Sequence, residues 1–159
     1  VEDAKELIRQ ALAEHTSIYV GFSGGKDSTA LLHLVMQVNP DVPVIFFDHG
    51  RNLVPARHVR EARRIAQACG CQRLRIIRRK QQVKEGEYVS EDPTAQWMFR
   101  IISKLGYEAV LLGIRGEESI ARRRRGKDVT NRQGKSEGWS GDAVTGVHPE
   151  IYHVWLGLP

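Results

Sequence analysis

A strand, a tight turn and a helix follow one another without a gap between residues 18 and 35. Ile18-Tyr19-Val20-Gly21-Phe22 is an apolar run, Ser23-Gly24-Gly25-Lys26-Asp27-Ser28 follows it directly, and Ala30-Leu31-Leu32-His33-Leu34-Val35 reads as helix. The two glycines let the backbone approach an anion closely, and the helix aims its opening N–H groups and positive dipole end at the same spot. A phosphate-bearing ligand is the natural occupant; the plainer reading is a strand–helix turn that holds nothing.

The G-x-x-x-x-G-K-[ST] phosphate loop does not fit. Val20 stands where its first glycine is required, and Asp27 stands after Lys26 where a metal-binding hydroxyl is required. What remains is S-G-G-K-D-S.

Further strand–helix units follow. Ala4, Leu7, Ile8, Ala11 and Leu12 recur at helical spacing ahead of a first strand at about 17–22. Asn39-Pro40-Asp41 breaks the helix after the loop, and 42–47 reads as a strand buried on both faces, ending in Asp48-His49-Gly50. Pro55 suits a first helical position, with Val59, Ala62, Ile65, Ala66 and Cys69 on one face before Gly70. A short strand at 74–77 leads into Arg78-Arg79-Lys80. Asp92-Pro93 then caps a helix bearing Trp97, Met98, Ile101, Ile102 and Leu105, in which Trp97 is most simply core. A strand at 109–114 precedes a further helix opened by 116–119. Between 126 and 147 five glycines and mixed charge predict a mobile loop, with Trp139 isolated in it.

The pattern predicts an α/β domain: an open, mainly parallel twisted sheet with helices on both faces and right-handed crossovers. With 159 residues and 41% hydrophobic content, the chain suits one domain over 1–159. No run approaches the ~18 apolar residues of a membrane span, and the first residues lack signal-peptide character, so a cytoplasmic location without membrane contact is expected. The net charge of +5 arises from 17 Arg and 7 Lys against 19 acids, a balance that fits nucleotide or nucleic-acid ligands.

In an open parallel sheet, ligands bind outside the carboxyl ends of the strands. That edge collects the 23–28 loop, 48–50, 78–80 and 114–119. Cys69 and Cys71 fall at the opposite edge, a strand length of ~16 Å away, which makes them structural. Their spacing is awkward for a disulfide and short of any zinc or iron–sulfur pattern, so reduced thiols and no iron–sulfur cluster are expected.

The S-G-G-K-D-S segment resembles the PP-loop of the ATP pyrophosphatase and adenine nucleotide alpha-hydrolase superfamily. Taken with Phe46-Phe47-Asp48-His49-Gly50 and Gly113-Ile114-Arg115-Gly116-Glu117-Glu118-Ser119-Ile120-Ala121-Arg122, it resembles the phosphoadenosine phosphosulfate (PAPS) reductase family, which carries G-x-R-x-x-E/Q-S-x-x-R at this place. The likeness covers roughly residues 15–125. It implies an adenine nucleotide, PAPS/APS or ATP, gripped by Ser23, Gly24, Gly25, Lys26, Asp27 and Ser28. Arg115, Glu118, Ser119 and Arg122 would contribute from the second motif, with Phe47 and Asp48 beside the adenosine. His49 stands where the family has a threonine.

Lys26 and Arg115 are the candidate catalytic charges, and Asp27 is a candidate Mg²⁺ ligand that could equally cap its helix. Ser23 and Ser28 can donate to phosphate, and Ser28 can also cap. His49 is assigned no catalytic role, and the Arg122–Arg125 run is most simply a solvated face. Reductases of the family attack sulfur with a cysteine in an E-C-G-x-H segment, which does not occur among these 159 residues. His148–Trp155 resembles a shortened form of the family's P-I-x-x-W…D-V-W segment. Three readings follow from the resemblance: a sulfonucleotide enzyme needing a thiol donor, an ATP-dependent adenylating or sulfur-transfer enzyme with tRNA or DNA as acceptor, and a non-catalytic nucleotide-binding module.

Overall fold

A computed structural model describes residues 2–50, 54–79, 94–114, 135–136 and 150–155. Its elements are α1 (Glu2–Glu14), β1 (Ile18–Gly21), α2 (Lys26–Val38), β2 (Val44–Asp48), α3 (Ala56–Ala68), β3 (Leu74–Arg78), α4 (Thr94–Leu105), β4 (Ala109–Ile114), β5 (Lys135–Ser136) and β6 (Glu150–Trp155). They build one six-stranded sheet in the order β3-β2-β1-β4-β6-β5. All neighbours are parallel except β5, which runs antiparallel to β6.

The period-two alternation of side chains divides the core between two faces. Ile18, Val20 and Phe22, Val44 and Phe46, and Ala109 and Leu111 meet α1, α2 and α3 through Ile8, Leu31, Leu32, Val35, Val59 and Ala62. Tyr19, Ile45 and Val110 form the second face with Ile102 of α4, joined by Phe47, Ile77, Leu105 and Leu112. Helices on both faces explain why the strands read as continuous apolar runs rather than as an alternation.

Crossover handedness accounts for the placement of α4. The chain steps from β1 through α2 to β2 and through α3 to β3 in one direction along the sheet, then returns through α4 to pair β4 with the other side of β1. A right-handed crossover in the reverse direction must lie on the opposite face.

The expected elements that fall on the described residues are present, with three differences. The second strand begins at Val44 and extends to Asp48, because Pro43 donates no N–H and serves only as acceptor, its carbonyl taking the Val20 N–H at 2.8 Å. Pro55 is the N-cap, with α3 starting at Ala56. Residues 135–136, inside the segment expected to be a mobile loop, form β5 against Tyr152 and Ile151. The rest of that loop, the Asp92-Pro93 cap and the helix expected after 116 lie outside the described residues. Among the described residues no helix is long and apolar enough to cross a membrane.

Candidate functional site

Strand order reverses between β1 and β4, the first half of the sheet growing outward from β1 and the chain returning to its other side. Ligands bind at such switch points, outside the carboxyl ends of the strands. The Ser23–Ser28 segment leaves β1 at this point, and Ile114 ends β4 beside it.

The loop holds its shape through its own hydroxyls. Ser28 is buried; its Oγ lies 3.0 Å from Ser23 Oγ, donates to the Gly25 carbonyl at 3.0 Å and accepts the Ser23 N–H at 3.3 Å. The Gly25 N–H reaches Ser23 Oγ at 3.4 Å. Ser28 is thus turned into the loop, and Ser23, Gly25 and Lys26 form its exposed rim. The Thr29 N–H closes the first helical bond of α2, to Gly25 O at 2.9 Å. Asp27, half-buried, sits in the first turn of α2, where a carboxylate complements the helix dipole.

The two loop glycines answer different demands. Gly24 has φ of 75°, a left-handed conformation that L side chains rarely adopt. Gly25 has φ of −77° and ψ of 164°, open to any residue, and among the described residues a β-carbon there would meet only Ser23 Oγ, at 3.4 Å. The backbone conformation thus favours glycine at 24, whereas nothing among the described residues demands it at 25.

A third glycine was not singled out from sequence. A β-carbon on Gly113 would lie 3.0 Å from Leu31 Cβ and 2.5 Å from the Asp27 carbonyl oxygen. Its absence lets the end of β4 and the first turn of α2 close on each other. The signal was present in the glycine that opens the G-x-R segment.

Beyond β1, the carboxyl ends of β2 and β3 are linked by a buried acid. Asp48, 2% exposed, accepts the Gly50 N–H at 3.0 Å on Oδ1 and Arg78 Nε at 2.7 Å on Oδ2, and its carbonyl accepts the Arg79 N–H at 2.8 Å. Asp48 and Arg78 are paired residues in the β2–β3 register, which fixes their contact. Oδ1 therefore holds the turn into Gly50, whose φ is 93°, and Oδ2 ties that turn to β3.

Beside them, Trp97 contacts Phe47 and His49 edge-on, with centroids 5.4 and 5.5 Å away, and the Arg79 guanidinium lies 5.8 Å over its ring. Trp97 is thus half-buried at the site edge instead of in the core, because α4 enters the second face beside the strand ends. His49 is half-buried as well. Burial, followed by the nearby Arg79 charge, lowers its pKa, and Asp48 opposes that shift.

Cys69 ends α3, and the Cys71 N–H bonds Ala66 O at 2.9 Å just before β3 begins opposite Val44, the first residue of β2. The two thiols are therefore at the amino edge of the sheet, and burial raises both pKa values. Arg115, Glu118, Ser119 and Arg122, with the Arg122–Arg125 run and Trp139, lie outside the described residues.

No curated protein matches the chain. Among solved structures it is similar to a universal stress protein in complex with cAMP, at 14% identity and a TM-score of 0.43, over 69% of this chain and 81% of that one. Residues 17–149 match the family model of the phosphoadenosine phosphosulfate reductase domain, a match that takes in the loop, the Asp48 turn and the end of β4. The chain belongs to the phosphoadenosine phosphosulfate reductase domain family, within the PP-loop ATP pyrophosphatase superfamily.

Proposed function

We propose that the 23–28 loop holds the phosphate or sulfate-bearing end of an adenine nucleotide, PAPS/APS or ATP, for reaction at or beyond its α-phosphate. The observation that carries this reading is Gly25: a residue in an ordinary conformation, where among the described residues a β-carbon would meet only Ser23 Oγ, so that nothing described requires glycine there. An anion approaching the first turn of α2 does need it.

In this reading the N–H groups of the loop and the Lys26 ammonium stabilise charge on the transferred group, with Arg115 completing the grip from the β4 side. The Ser23–Ser28 hydroxyl pair keeps the loop in shape, so the donors need little rearrangement on binding. Phe47 and the turn shaped by Asp48 border the adenosine, and Glu118, Ser119 and Arg122 extend the anion contacts. Were a Mg²⁺ to accompany the nucleotide, Asp27 would be the loop carboxylate to hold it, and the ion would supply neutralisation of phosphate charge. Sulfonucleotide reduction also needs a thiol donor, since Cys69 and Cys71 stand at the other edge of the sheet.

Titration calorimetry with ATP, PAPS and AMP, on wild type and on Lys26→Ala, tests the proposal. Charge-assisted hydrogen bonds to phosphate contribute ~1.5–3 kcal/mol, so Lys26→Ala should weaken binding about ten- to a hundred-fold. Absence of binding of all three nucleotides to the wild type, or equal affinity in the variant, rejects it.

A further inference from the structure

The α3–β3 flank carries charge out of proportion to its length. Residues 56–79 contain eight arginines, no lysine and a single acid, Glu61, whereas the whole chain carries a net +5. Burial of Val59, Ala62 and Ala66 turns one side of α3 inward. Arg57, Arg60, Arg63, Arg64 and Gln67 are left on one exposed arc. Arg64 meets Glu61 only at 3.9 Å, and among the described residues Arg57, Arg60 and Arg63 have no acidic partner. Like charges a turn apart repel, so the arc works against the helix that bears it.

At the carboxyl-terminal end of the arc, α3 and β3 enclose a cleft of about 390 Å³. It is lined by the exposed Arg63, Gln67 and Gln72 and by the more buried Ala66, Cys71, Leu74 and Ile76. Side-chain amides that pair with base edges, a guanidinium plane and an apolar floor are the groups that receive an unstacked base.

We propose that this flank binds single-stranded nucleic acid, with backbone phosphates on Arg57, Arg60 and Arg64 and one base in the cleft. From Arg57 to Arg64 the helix rises ~10 Å, enough for about three phosphates of one strand. A lipid surface fits less well, because the arc has no aromatic or large aliphatic side chain to enter a bilayer. An acidic protein fits less well too, since the arc lacks the apolar or aromatic anchors of a protein interface. The flank adjoins the loop: a β-carbon on Gly24 would lie 3.5 Å from Ala62 Cβ of α3. The site is nonetheless separate and does not rest on the nucleotide reading.

The test is fluorescence anisotropy with labelled DNA and RNA single strands of about twelve nucleotides, the matching duplexes, polyglutamate, and vesicles containing phosphatidylserine, between about 50 and 200 mM salt. A single strand should bind with a logarithmic salt slope of about −2 to −3, and the preferred sugar identifies DNA or RNA. Arg57→Gln/Arg60→Gln/Arg64→Gln should lower affinity about tenfold or more and bring the slope to −1 or shallower. Gln72→Ala should weaken single-strand binding about threefold with the slope unchanged. All four side chains are exposed; should the triple variant melt early, Arg57→Gln with a slope change of about 0.7 decides the same point. No binding at low salt, an unchanged slope in the arginine variants, or a duplex, polyglutamate or vesicles bound as tightly as the single strand overturns the proposal. ATP titration of the arginine variant reads the loop independently.

Discussion

The Gly113 backbone packs against the Asp27 backbone: a β-carbon on Gly113 would lie 2.5 Å from the Asp27 carbonyl oxygen and 3.0 Å from its carbonyl carbon. Neither of those atoms is the movable tip of a side chain. The first turn of α2 is therefore seated on the end of β4, and the loop between β1 and α2 takes its height from that contact.

Gly113→Ala should displace the first turn of α2. Overpacking of this kind costs ~1–3 kcal/mol, so a lowered melting temperature is expected, with nucleotide affinity reduced beyond what the stability loss explains. Wild-type melting and affinity together in the variant would show that the contact relaxes freely.

The loop glycines should separate stability from binding. Gly25→Ala keeps a permitted conformation and restricts the unfolded chain, so stability should be unchanged or rise by up to about 1 kcal/mol, while nucleotide affinity falls about tenfold or more. Gly24→Ala forces a β-carbon into the left-handed region and should destabilise by ~1–2 kcal/mol. Chemical denaturation paired with calorimetry distinguishes the two outcomes, and unimpaired binding by Gly25→Ala would remove the main support for an occupied loop.

At Asp48 the buried hydrogen bond should outweigh the ion pair. Arg78 keeps 65% of its side chain exposed, so its charge remains solvated and contributes little. Asp48→Ala leaves the buried Gly50 N–H without its acceptor, at a cost of ~1–3 kcal/mol, whereas Asp48→Asn keeps an oxygen in place and should cost under about 1 kcal/mol. Equal destabilisation in urea melts would assign the larger share to the charge.

His49 should make the protein acid-sensitive. Its folded-state pKa is lowered by burial, then by Arg79, so the native state favours the neutral ring. That contribution is complete above the ordinary histidine pKa of about 6.5 and is lost as pH falls through that value toward the lower folded pKa. Between about pH 7.5 and 5.5, wild type should lose more melting temperature than His49→Gln; an identical loss in both would place the sensitivity elsewhere.

Cys69 and Cys71 should be spectators of the chemistry. Burial keeps their thiols protonated near neutrality, and they lie at the edge of the sheet away from the loop. Cys69→Ser/Cys71→Ser should bind nucleotide as wild type does, and the wild-type chain with thioredoxin should release no sulfite from PAPS at a catalytic rate. Sulfite formation that disappears in the double variant would contradict this.

The sheet and its loop were legible because they follow local rules. Apolar runs such as 109–114, breakers such as Gly70 and Gly106, and the 23–28 motif each declare themselves within a few residues. β6 was harder: 150–155 is short and follows a segment without periodicity, and it becomes a strand through pairing with β4 and β5, both distant in sequence. Trp97 shows the opposite failure. Its spacing with Ile101 is that of a core residue, but the depth at which α4 meets the sheet is a tertiary property that leaves the ring beside His49 and Arg79. Ser28 has the composition of a phosphate donor, and only its three-dimensional partners turn it inward.

The pairing of β1 also bears on how the chain assembles. One flank of β1 is satisfied early, by Val44 and Ile45, but the other waits for Ala109, Val110 and Leu111. During vectorial synthesis the first three strands can associate before residue 109 exists, leaving the far side of β1 unmatched and the first turn of α2 without Gly113 beneath it. Contacts this distant in sequence form slowly, because loop closure must precede the pairing that rewards it. The PP-loop is thus made well before β4 and set only after it, and a nascent chain released before β4 should collapse without acquiring the finished site.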